Sequence, residues 1–159
     1  MTTNHSYELS LRWTGNHGQG TTGYLAYGRD HEVHGVDKPM IPGSSDAAFR
    51  GDRRRWNPEE LLVASLSQCH LLWYLHLAAE AGIVVTSYSD TPTGLMAEER
   101  GGAGRFTQVV LRPVVTVSQA HMCPRAQALH HDVAAKCFIS RSVNFPVHYE
   151  PVTRVDDGS

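Results

Sequence analysis

One segment, NPEELLVASLSQCHLLWYLHLAAEAG at residues 57–82, constrains the fold more than any other part of the chain. Asn57 is a good N-cap, Pro58 fits the first helical position, and two glutamates follow where the positive end of the helix dipole favours them. The segment then carries no formal charge over 61–79. Gly82 can serve as the C-terminal cap. The pattern predicts a helix of about 24 residues, roughly 36 Å long.

This helix is too apolar and too long for a small domain to cover alone. From Cys69 onward it is apolar nearly all round, which is typical of a helix enclosed on every side. We therefore hypothesise a homodimer that buries it between subunits. The run nearly reaches the length of a membrane span. Hydrocarbon would penalise its polar side chains, Ser65, Ser67, Gln68, His70 and His76. We expect a buried helix in a soluble protein, with no membrane partner.

Length, charge and cysteine content place the chain in a broad class. Its 159 residues predict a single domain over 1–159. A net charge of -2 gives no electrostatic reason to expect nucleic acid or an anionic membrane as a partner. The N-terminus, MTTNHSYELS, has no apolar signal region, and three cysteines in an unexported chain indicate reduced thiols. We expect the cytoplasm as the compartment.

The remaining segments predict an α+β fold. Those that alternate or are rich in β-formers are 7–13, 22–27, 31–35, 84–98, 105–117 and the final PVHYEPV. Residues 36–56 are rich in proline, glycine, serine and charge, so we expect a long irregular loop there. A second helix is expected over 119–136, with Pro124 in its first turn. No internal repeat or linker interrupts this order of elements.

Cys69 and Cys137 are the residues most open to a chemical role. A cysteine in an apolar helix is most often a small packed hydrophobe. Both cysteines nevertheless lie beside polar neighbours, and their separation allows them to meet in space as an attacking and a resolving thiol. Both interpretations stay open on these residues alone. Cys123, beside Pro124, is expected to be incidental.

A reactive Cys69 would need a positive charge from elsewhere in the protein. An apolar site raises the pKa of a thiol unless a cation compensates. His70 is adjacent, but consecutive helical residues point about 100° apart, so it is a poor source. Glu59 lies about 15 Å away along the helix axis. It could hold an arginine that spans this gap, act from a partner subunit, or simply favour the helix start.

Motifs for several other kinds of chemistry are missing from the sequence. The ten histidines form no H-x-x-x-H pattern and the cysteines no C-x-x-C pattern, so we expect no metal site. No G-x-G-x-x-G, Walker loop or G-x-S-x-G occurs. Nucleotide binding and serine-hydrolase chemistry therefore have no support.

Two cysteine motifs together carry a family resemblance. The N-P-E-E-L helix start, with Cys69 ten residues after the first glutamate, resembles the OsmC/Ohr family of osmotically inducible and organic hydroperoxide resistance proteins. Cys137, followed by a short helical segment and a V-N-F-P-V strand, resembles the second motif of that family, here C-F-I-S instead of the usual C-P-[VI]-S. The order of elements fits over about 7–152. The resemblance implies an OsmC-like fold, with β-sheet wrapped around a long central helix in an intertwined homodimer.

The resemblance also implies a cysteine-based peroxidase that acts on organic hydroperoxides. Cys69 would be the peroxidatic thiolate, Cys137 the resolving thiol, and Glu59 the glutamate that positions an activating arginine. Arg50, in A-F-R-G-D, is the nearest match to that arginine, with Arg53–Arg55 in reserve. A dithiol reductant, a lipoylated protein in the family, would reopen the disulfide, and no bound cofactor or metal is needed.

Two other functions compatible with the same fold remain open. The first is a non-catalytic domain that binds a small molecule or acyl group and keeps its cysteines only as remnants. The second is a thiol redox sensor whose disulfide alters partner binding. Fast thiol oxidation with turnover would distinguish a peroxidase from both.

Overall fold

The structure, a computed structural model, describes residues 2–156, which divide into two compact units at Leu61/Leu62. The first unit contains a three-stranded antiparallel sheet of β1 (Ser10–Trp13), β2 (His31–His34) and β3 (Ile41–Gly43), in that order. The single domain predicted over 1–159 stays a prediction. Its residues 1 and 157–159 lie outside the described part of the chain.

The strand expected at 22–27 is wrong, because this segment forms turns. The guanidinium of Arg29 donates to the carbonyls of Tyr24 and Tyr27, at 2.8 and 2.5 Å. It also stacks over both aromatic rings, 4.5 and 4.0 Å from their centroids. Carbonyls that bind a side chain in this way are not available to a neighbouring strand. The β-branched and aromatic residues of the segment therefore build a turn around one arginine.

The loop expected over 36–56 is more ordered than its composition indicates. It contains β3 and a short 3-10 helix, Ala47–Phe49. Trp56 closes it, because its N–H donates to the Pro42 carbonyl at 3.0 Å and its carbonyl accepts the Ser44 N–H at 2.9 Å. These bonds fix the point at which the long helix begins.

The long helix α1 spans Pro58–Glu80, as its capping residues predict. Asn57 and Glu60 form a capping box, in which Asn57 Oδ1 accepts the Glu60 N–H at 2.7 Å and Glu60 Oε2 accepts the Asn57 N–H at 3.2 Å. Gly82 ends the helix with a left-handed φ of 69°, and the Ile83 N–H reaches back to the Ala78 carbonyl at 2.9 Å. This is the Schellman arrangement.

The second unit packs six strands and a second helix beside α1. The strands are β4 (Val85–Ser89), β5 (Thr93–Glu98), β6 (Gly104–Leu111), β7 (Val114–Val117), β8 (Val147–Tyr149) and β9 (Val152–Val155). They form two three-stranded sheets, β4-β7-β9 and β5-β6-β8, each with one antiparallel and one parallel pairing. The second helix, α2, spans Cys123–Ala134 and has proline in its first turn. The predicted α+β fold class is confirmed.

Prolines divide each of the long β segments predicted from the sequence. The breaks fall at Pro92, Pro113 and Pro151, where the missing N–H and fixed φ interrupt strand pairing. At the central break, the N–H of Arg112 donates to Asp90 Oδ1 at 2.7 Å. Asp90 Oδ2 accepts the hydroxyl of Ser67, on α1, at 2.6 Å. One carboxylate thus satisfies the interrupted strand and ties it to the helix.

A single stripe of α1 is buried. Its members are spaced by four residues, so they lie on one helix face: Leu66, His70, Tyr74 and Ala78. Two apolar clusters meet this stripe. One surrounds Tyr74 with Val115, Val117 and residues of α2, and the other surrounds Leu66 with Val109 and Leu111. The other faces of α1 stay at least partly exposed in the protomer, with Leu72 at 65% and Leu75 at 40%.

We expect Asn57→Ala to lower the free energy of unfolding by about 1 kcal/mol, because it removes the N-cap acceptor of α1. Asn57→Asp keeps an acceptor at the cap and serves as the matched control. Urea unfolding followed by circular dichroism measures both variants. Equal unfolding free energies for the native protein and Asn57→Ala would contradict this role of the capping box.

Candidate functional site

The structure brings Cys69 and Cys137 together. Cys69 lies near the middle of α1, and Cys137 follows the end of α2, where its N–H donates to the Val133 carbonyl at 3.0 Å. The two thiols are close enough for Cys137 to raise the pKa of the Cys69 thiol. Cys137 is buried, whereas Cys69 is partly exposed, and both are free thiols. This pairing is the arrangement that the spacing of the two cysteines allows but does not establish.

The surroundings of Cys69 favour its protonated form. Burial is the main cause that raises the pKa of the thiol, and the neighbouring Cys137 thiol raises it further. Backbone N–H groups of Ile139 and Phe138 act in the opposite direction, because they donate hydrogen bonds to the sulfur. The net shift is upward. A reactive thiolate therefore needs an additional positive charge.

An apolar groove of about 330 Å³ opens beside Cys69. It is lined by Ser65, Gln68, Cys69, Leu72, Trp73, Phe138 and Ile139. Trp73 and Phe138 pack edge to face, with ring centroids 5.5 Å apart. The ammonium group of Lys136 lies 5.6 Å from the centre of the Trp73 ring. The groove thus offers an organic molecule an aromatic wall, whose Trp73 ring also lies beside a cation.

A buried histidine pair joins α1 to α2. Nε2 of His70 lies 2.9 Å from Nδ1 of His130, and both side chains are almost fully buried. Tyr149 covers the His70 ring on one side, and Tyr74 stacks on His130 with centroids 4.3 Å apart. Burial lowers the pKa of each imidazole to about 4. His70 is therefore neutral at neutral pH and does not supply the cation that Cys69 needs.

Tyr149 connects the histidine pair with the thiols. Its ring lies 4.7 Å from that of His70, and its side chain contacts Ser140. Burial is the main cause that raises the pKa of its hydroxyl, and the nearby Cys137 and Cys69 add to the shift. The phenol therefore stays protonated at neutral pH.

Glu59 and Arg50 lie in the first unit. Glu59 is partly exposed in the first turn of α1, and Glu60, not Glu59, makes the capping bonds. Arg50 is exposed and follows the 3-10 helix with a left-handed φ of 67°. Such a conformation is uncommon for a residue with a Cβ. The proposed roles of both residues stay predictions.

The reserve arginines differ in how they are engaged. Arg54 pairs with Asp52 at 3.0 Å, and Arg55 pairs with Asp30 at 3.3 Å. Within residues 2–156, the guanidinium groups of Arg50 and Arg53 make no ion pair or side-chain hydrogen bond. These two are therefore the members of the group that are free to bind another carboxylate or an anion.

Cys123 contributes no obvious chemistry. It begins α2, is partly buried, and packs against the apolar cluster around Tyr74. It serves as packing and as the first residue of the helix.

Comparison with known proteins shows the family of the chain. The family model of OsmC-like proteins matches residues 51–151, which include both cysteines and all of α1. The chain belongs to the OsmC-like protein family. None of the curated proteins matches the chain.

Solved structures show how far this OsmC-like fold extends. A Vibrio cholerae OsmC-like protein of unknown function is 28% identical, with a TM-score of 0.84 over 94% of this chain and 100% of that one. Organic hydroperoxide resistance proteins from Legionella pneumophila and Elizabethkingia anophelis are 16% and 15% identical, with TM-scores of 0.68 and 0.66. They cover 96% and 97% of this chain, and 99% and 100% of their own. At this identity they show the shared fold.

Sequence reasoning missed the histidine pair and Tyr149. From the sequence, the histidines are considered only as possible metal ligands, and neither His70 nor His130 has a sequence pattern that indicates a histidine partner. A signal was present, since His70 falls on the four-residue stripe of α1 and His130 lies between apolar positions of α2. A histidine in a core stripe is hydrogen-bonded when buried. That rule predicts a polar partner, although it does not name one.

The histidine pair predicts a loss of stability in acid. Because the folded pKa values of about 4 lie below the ordinary value of 6.5, the unfolded chain binds more protons between these limits. The free energy of unfolding should therefore be largest above pH 6.5 and fall toward pH 4, by a total on the order of a few kcal/mol. Urea unfolding at several pH values measures this.

The matched variants for this test are His130→Gln and His131→Gln. The first removes one buried imidazole and should flatten the pH dependence between pH 6.5 and 4. The second changes an exposed neighbour in the same helix and should leave it as in the native protein. A native pH dependence in His130→Gln would contradict the assignment.

Proposed function

We propose that the protein is a cysteine-based, thiol-dependent peroxidase that reduces organic hydroperoxides. The observation that supports it most is the proximity of the Cys137 thiol to Cys69, which lines an apolar groove. An attacking thiol beside a second thiol is what a two-cysteine peroxidase requires. The hydroperoxide resistance proteins among the solved structures of this fold agree with the proposal.

The proposed chemistry uses the two sulfurs in turn. The Cys69 thiolate attacks one oxygen of the O–O bond, so Cys69 becomes a sulfenic acid and the other oxygen leaves as an alcohol after taking a proton. Cys137 then attacks the sulfenic sulfur, which forms a disulfide and releases water. A dithiol reductant, for which a lipoylated protein is the candidate class, reduces that disulfide and restores both thiols.

The groove favours an organic substrate over hydrogen peroxide. Its lining is mainly apolar, and Trp73 and Phe138 form one wall. Burial of the organic part of a hydroperoxide there would stabilise binding by about 25 cal/mol for each Å² of apolar surface removed from water. Hydrogen peroxide has no such surface to bury.

In this proposal, Arg50 supplies the positive charge that the Cys69 thiolate needs, and Glu59 holds the arginine in place. Glu59 is not used in capping, so its carboxylate is available to hold an arginine. Arg50 makes no ion pair within the described residues, and its left-handed backbone is a conformation found often at functional sites. An arginine placed beside Cys69 would lower the pKa of the thiol and stabilise the leaving oxygen.

The proposal includes a homodimer, because a second subunit would cover the exposed apolar face of α1. Leu72 and Leu75 remain exposed on α1, which is also long and apolar enough to suit a membrane span. In the same helix, the buried His70 pairs with His130 of α2 and Ser67 donates to Asp90, as expected of a soluble protein. We propose a cytoplasmic homodimer that covers the exposed face of α1 and binds neither nucleic acid nor membrane.

Peroxide consumption tests the function directly. With cumene hydroperoxide and a dithiol, we expect the native protein to turn over and Cys69→Ser to lose turnover, because the attacking sulfur is gone. Cys137→Ser should retain one fast oxidation but lose turnover with the dithiol. Cys123→Ser is the control and should keep native rates.

Full peroxide consumption by Cys69→Ser would refute the proposed function. Slow, unselective oxidation of all three cysteines, together with a retained ligand, would instead support a binding domain. Fast oxidation without turnover by any dithiol would support a redox sensor.

The role of Arg50 can be separated from its effect on stability. Arg50→Gly should raise the pKa of Cys69 and slow peroxide attack by about tenfold or more, because a nearby charge is lost. The same change should leave the free energy of unfolding equal or raise it by about 1 kcal/mol, because glycine adopts the left-handed backbone more readily. Stopped-flow oxidation and urea unfolding measure the two effects.

Two arginine variants complete this experiment. Arg54→Ala removes a guanidinium that is already paired with Asp52, so it should keep the native rate. If Arg53→Ala slows the reaction and Arg50→Gly does not, the activating role belongs to Arg53.

A further inference from the structure

Within residues 2–156, two side-chain hydrogen bonds join α1 to α2. Nε2 of His70 lies 2.9 Å from Nδ1 of His130, and the hydroxyl of Tyr74 donates to the Ala126 carbonyl at 3.0 Å. All three side chains are buried. Because His70 directly follows Cys69, the histidine bond is the one that lies nearer to this thiol along α1.

The other thiol, Cys137, has a fixed place relative to the end of α2. The N–H groups of Lys136 and Cys137 both donate to the Val133 carbonyl, at 2.9 and 3.0 Å. The Cys137 carbonyl in turn accepts the Arg141 N–H at 3.2 Å. His130 lies about one turn before Val133 on the same helix. Cys137 therefore moves with the helix that His130 joins to α1.

A second contact lies where the end of α2 meets α1. Phe138, which follows Cys137, packs edge to face against Trp73, with ring centroids 5.5 Å apart. Trp73 lies four residues after Cys69, on the same face of α1. The Phe138 ring is 65% exposed, so water reaches this contact, whereas the histidine bond is shielded from water and stronger for that reason.

We propose that His70 and His130 are a positioning pair, whose hydrogen bond holds Cys137 in reach of Cys69 and so favours closure of their disulfide. One of the two facing nitrogens donates the proton and the other accepts it, so the bond needs no charge. A thiol held in place reacts at a higher effective concentration than a thiol on a loose segment. Without the bond, α2 moves more freely, and the entropy of ordering it again opposes closure.

Position 70 allows a matched pair of variants. In glutamine the terminal amide lies about as far from Cα as Nε2 of histidine does, and it can donate or accept. His70→Gln therefore keeps a partner for His130, whereas His70→Leu leaves Nδ1 of His130 buried without one. Both variants lack the imidazole ring that contacts Tyr149, so a difference between them reports the hydrogen bond.

The disulfide equilibrium with glutathione tests the proposal without any peroxide. The two thiols give two electrons and two protons to glutathione disulfide, which yields the Cys69–Cys137 disulfide and two molecules of glutathione. We expect His70→Gln to keep the native equilibrium constant within about twofold and His70→Leu to lower it by about tenfold, as the loss of one buried hydrogen bond implies. Peptide mass spectrometry measures the joined peptides. Equal constants in the two variants would overturn the proposal.

A less stable variant shows whether lost stability alone produces this effect. Asn57→Ala removes the N-cap of α1 and touches neither histidine. It should keep the native equilibrium constant. A fall as large as the one in His70→Leu would overturn the positioning role.

Oxidation by cumene hydroperoxide measures the consequence for turnover, which rests on the proposed function. The first oxidation of Cys69 should be equally fast in His70→Gln and His70→Leu, because it precedes closure. The sulfenic acid should last longer in His70→Leu, so a larger share of Cys69 becomes sulfinic acid. If no form of the protein reacts with the peroxide, the proposed function fails, and the glutathione equilibrium still decides the positioning role.

A measurement on the native protein tests the proposal if His70→Leu does not fold. Coupling between two sites is reciprocal, so a pair that favours the disulfide is itself held closed by the disulfide. Protonation of the buried imidazoles requires the pair to open. The midpoint of this protonation, followed by NMR, should therefore be lower in the disulfide form than in the dithiol form, by up to about one pH unit for a tenfold coupling.

The charges around the pair do not differ between these two forms. Both thiols are neutral at acidic pH, so closure of the disulfide changes no charge. Other ionisable groups face the pair from the neighbouring elements and are the same in both forms: Tyr74, Tyr149 and Asp90. Equal midpoints in the dithiol and disulfide forms would overturn the proposal.

Discussion

Cys69 lies on a helix that carries no formal charge over 61–79, and its sulfur is partly buried against a second thiol. Both features raise the pKa of the thiol, since each disfavours a negative charge. The site is arranged around this constraint. Backbone amides from the turn after α2 approach the sulfur, and the proposed cation comes from outside α1. The same lack of charge lets α1 lie against two apolar clusters.

The burial of α1 also determines where polar groups are tolerated. Ser67 reaches Asp90 at the proline breaks between the strands, and His70 reaches His130 on α2. Each of these side chains makes one hydrogen bond, although Nδ1 of His70 and Nε2 of His130 are buried without a partner within the described residues. On the outer face of α1, Leu72 and Leu75 stay exposed to solvent in the single chain, and the proposed homodimer would cover them.

The sequence was most informative where a local rule decides the structure. The caps at Asn57 and Gly82 predicted α1, and the bounds agree because capping depends on residues close in the chain. The predicted strand boundaries are less accurate, because the predicted β segments run through the prolines at 92, 113 and 151, where the strands of the structure end. The strand at 22–27 failed because Arg29 binds the carbonyls of that segment, an interaction that β-propensity does not contain.

The candidate site could be predicted only in part, for the same reason. Two cysteine motifs predict Cys69 and Cys137 as the candidate thiols, but their proximity depends on how α1 and α2 pack, which spacing alone does not give. The amides of Phe138 and Ile139 carry no side-chain signature at all. His130 and Tyr149 come from distant segments and meet α1 only in the folded unit. The role of Arg50 as the activating arginine remains a prediction, because a residue that acts on Cys69 from a distant segment leaves no pattern in the sequence around Cys69.

The pairing of Cys69 with Cys137 is tested most directly by peptide mapping after a single oxidation. Reduced protein is treated with one equivalent of cumene hydroperoxide, alkylated, and digested without reductant. The structure and the proposed function predict a peptide pair joined through Cys69 and Cys137, with Cys123 alkylated. Sulfinic acid on Cys69 with Cys137 still alkylated, or a disulfide that includes Cys123, would contradict the pairing.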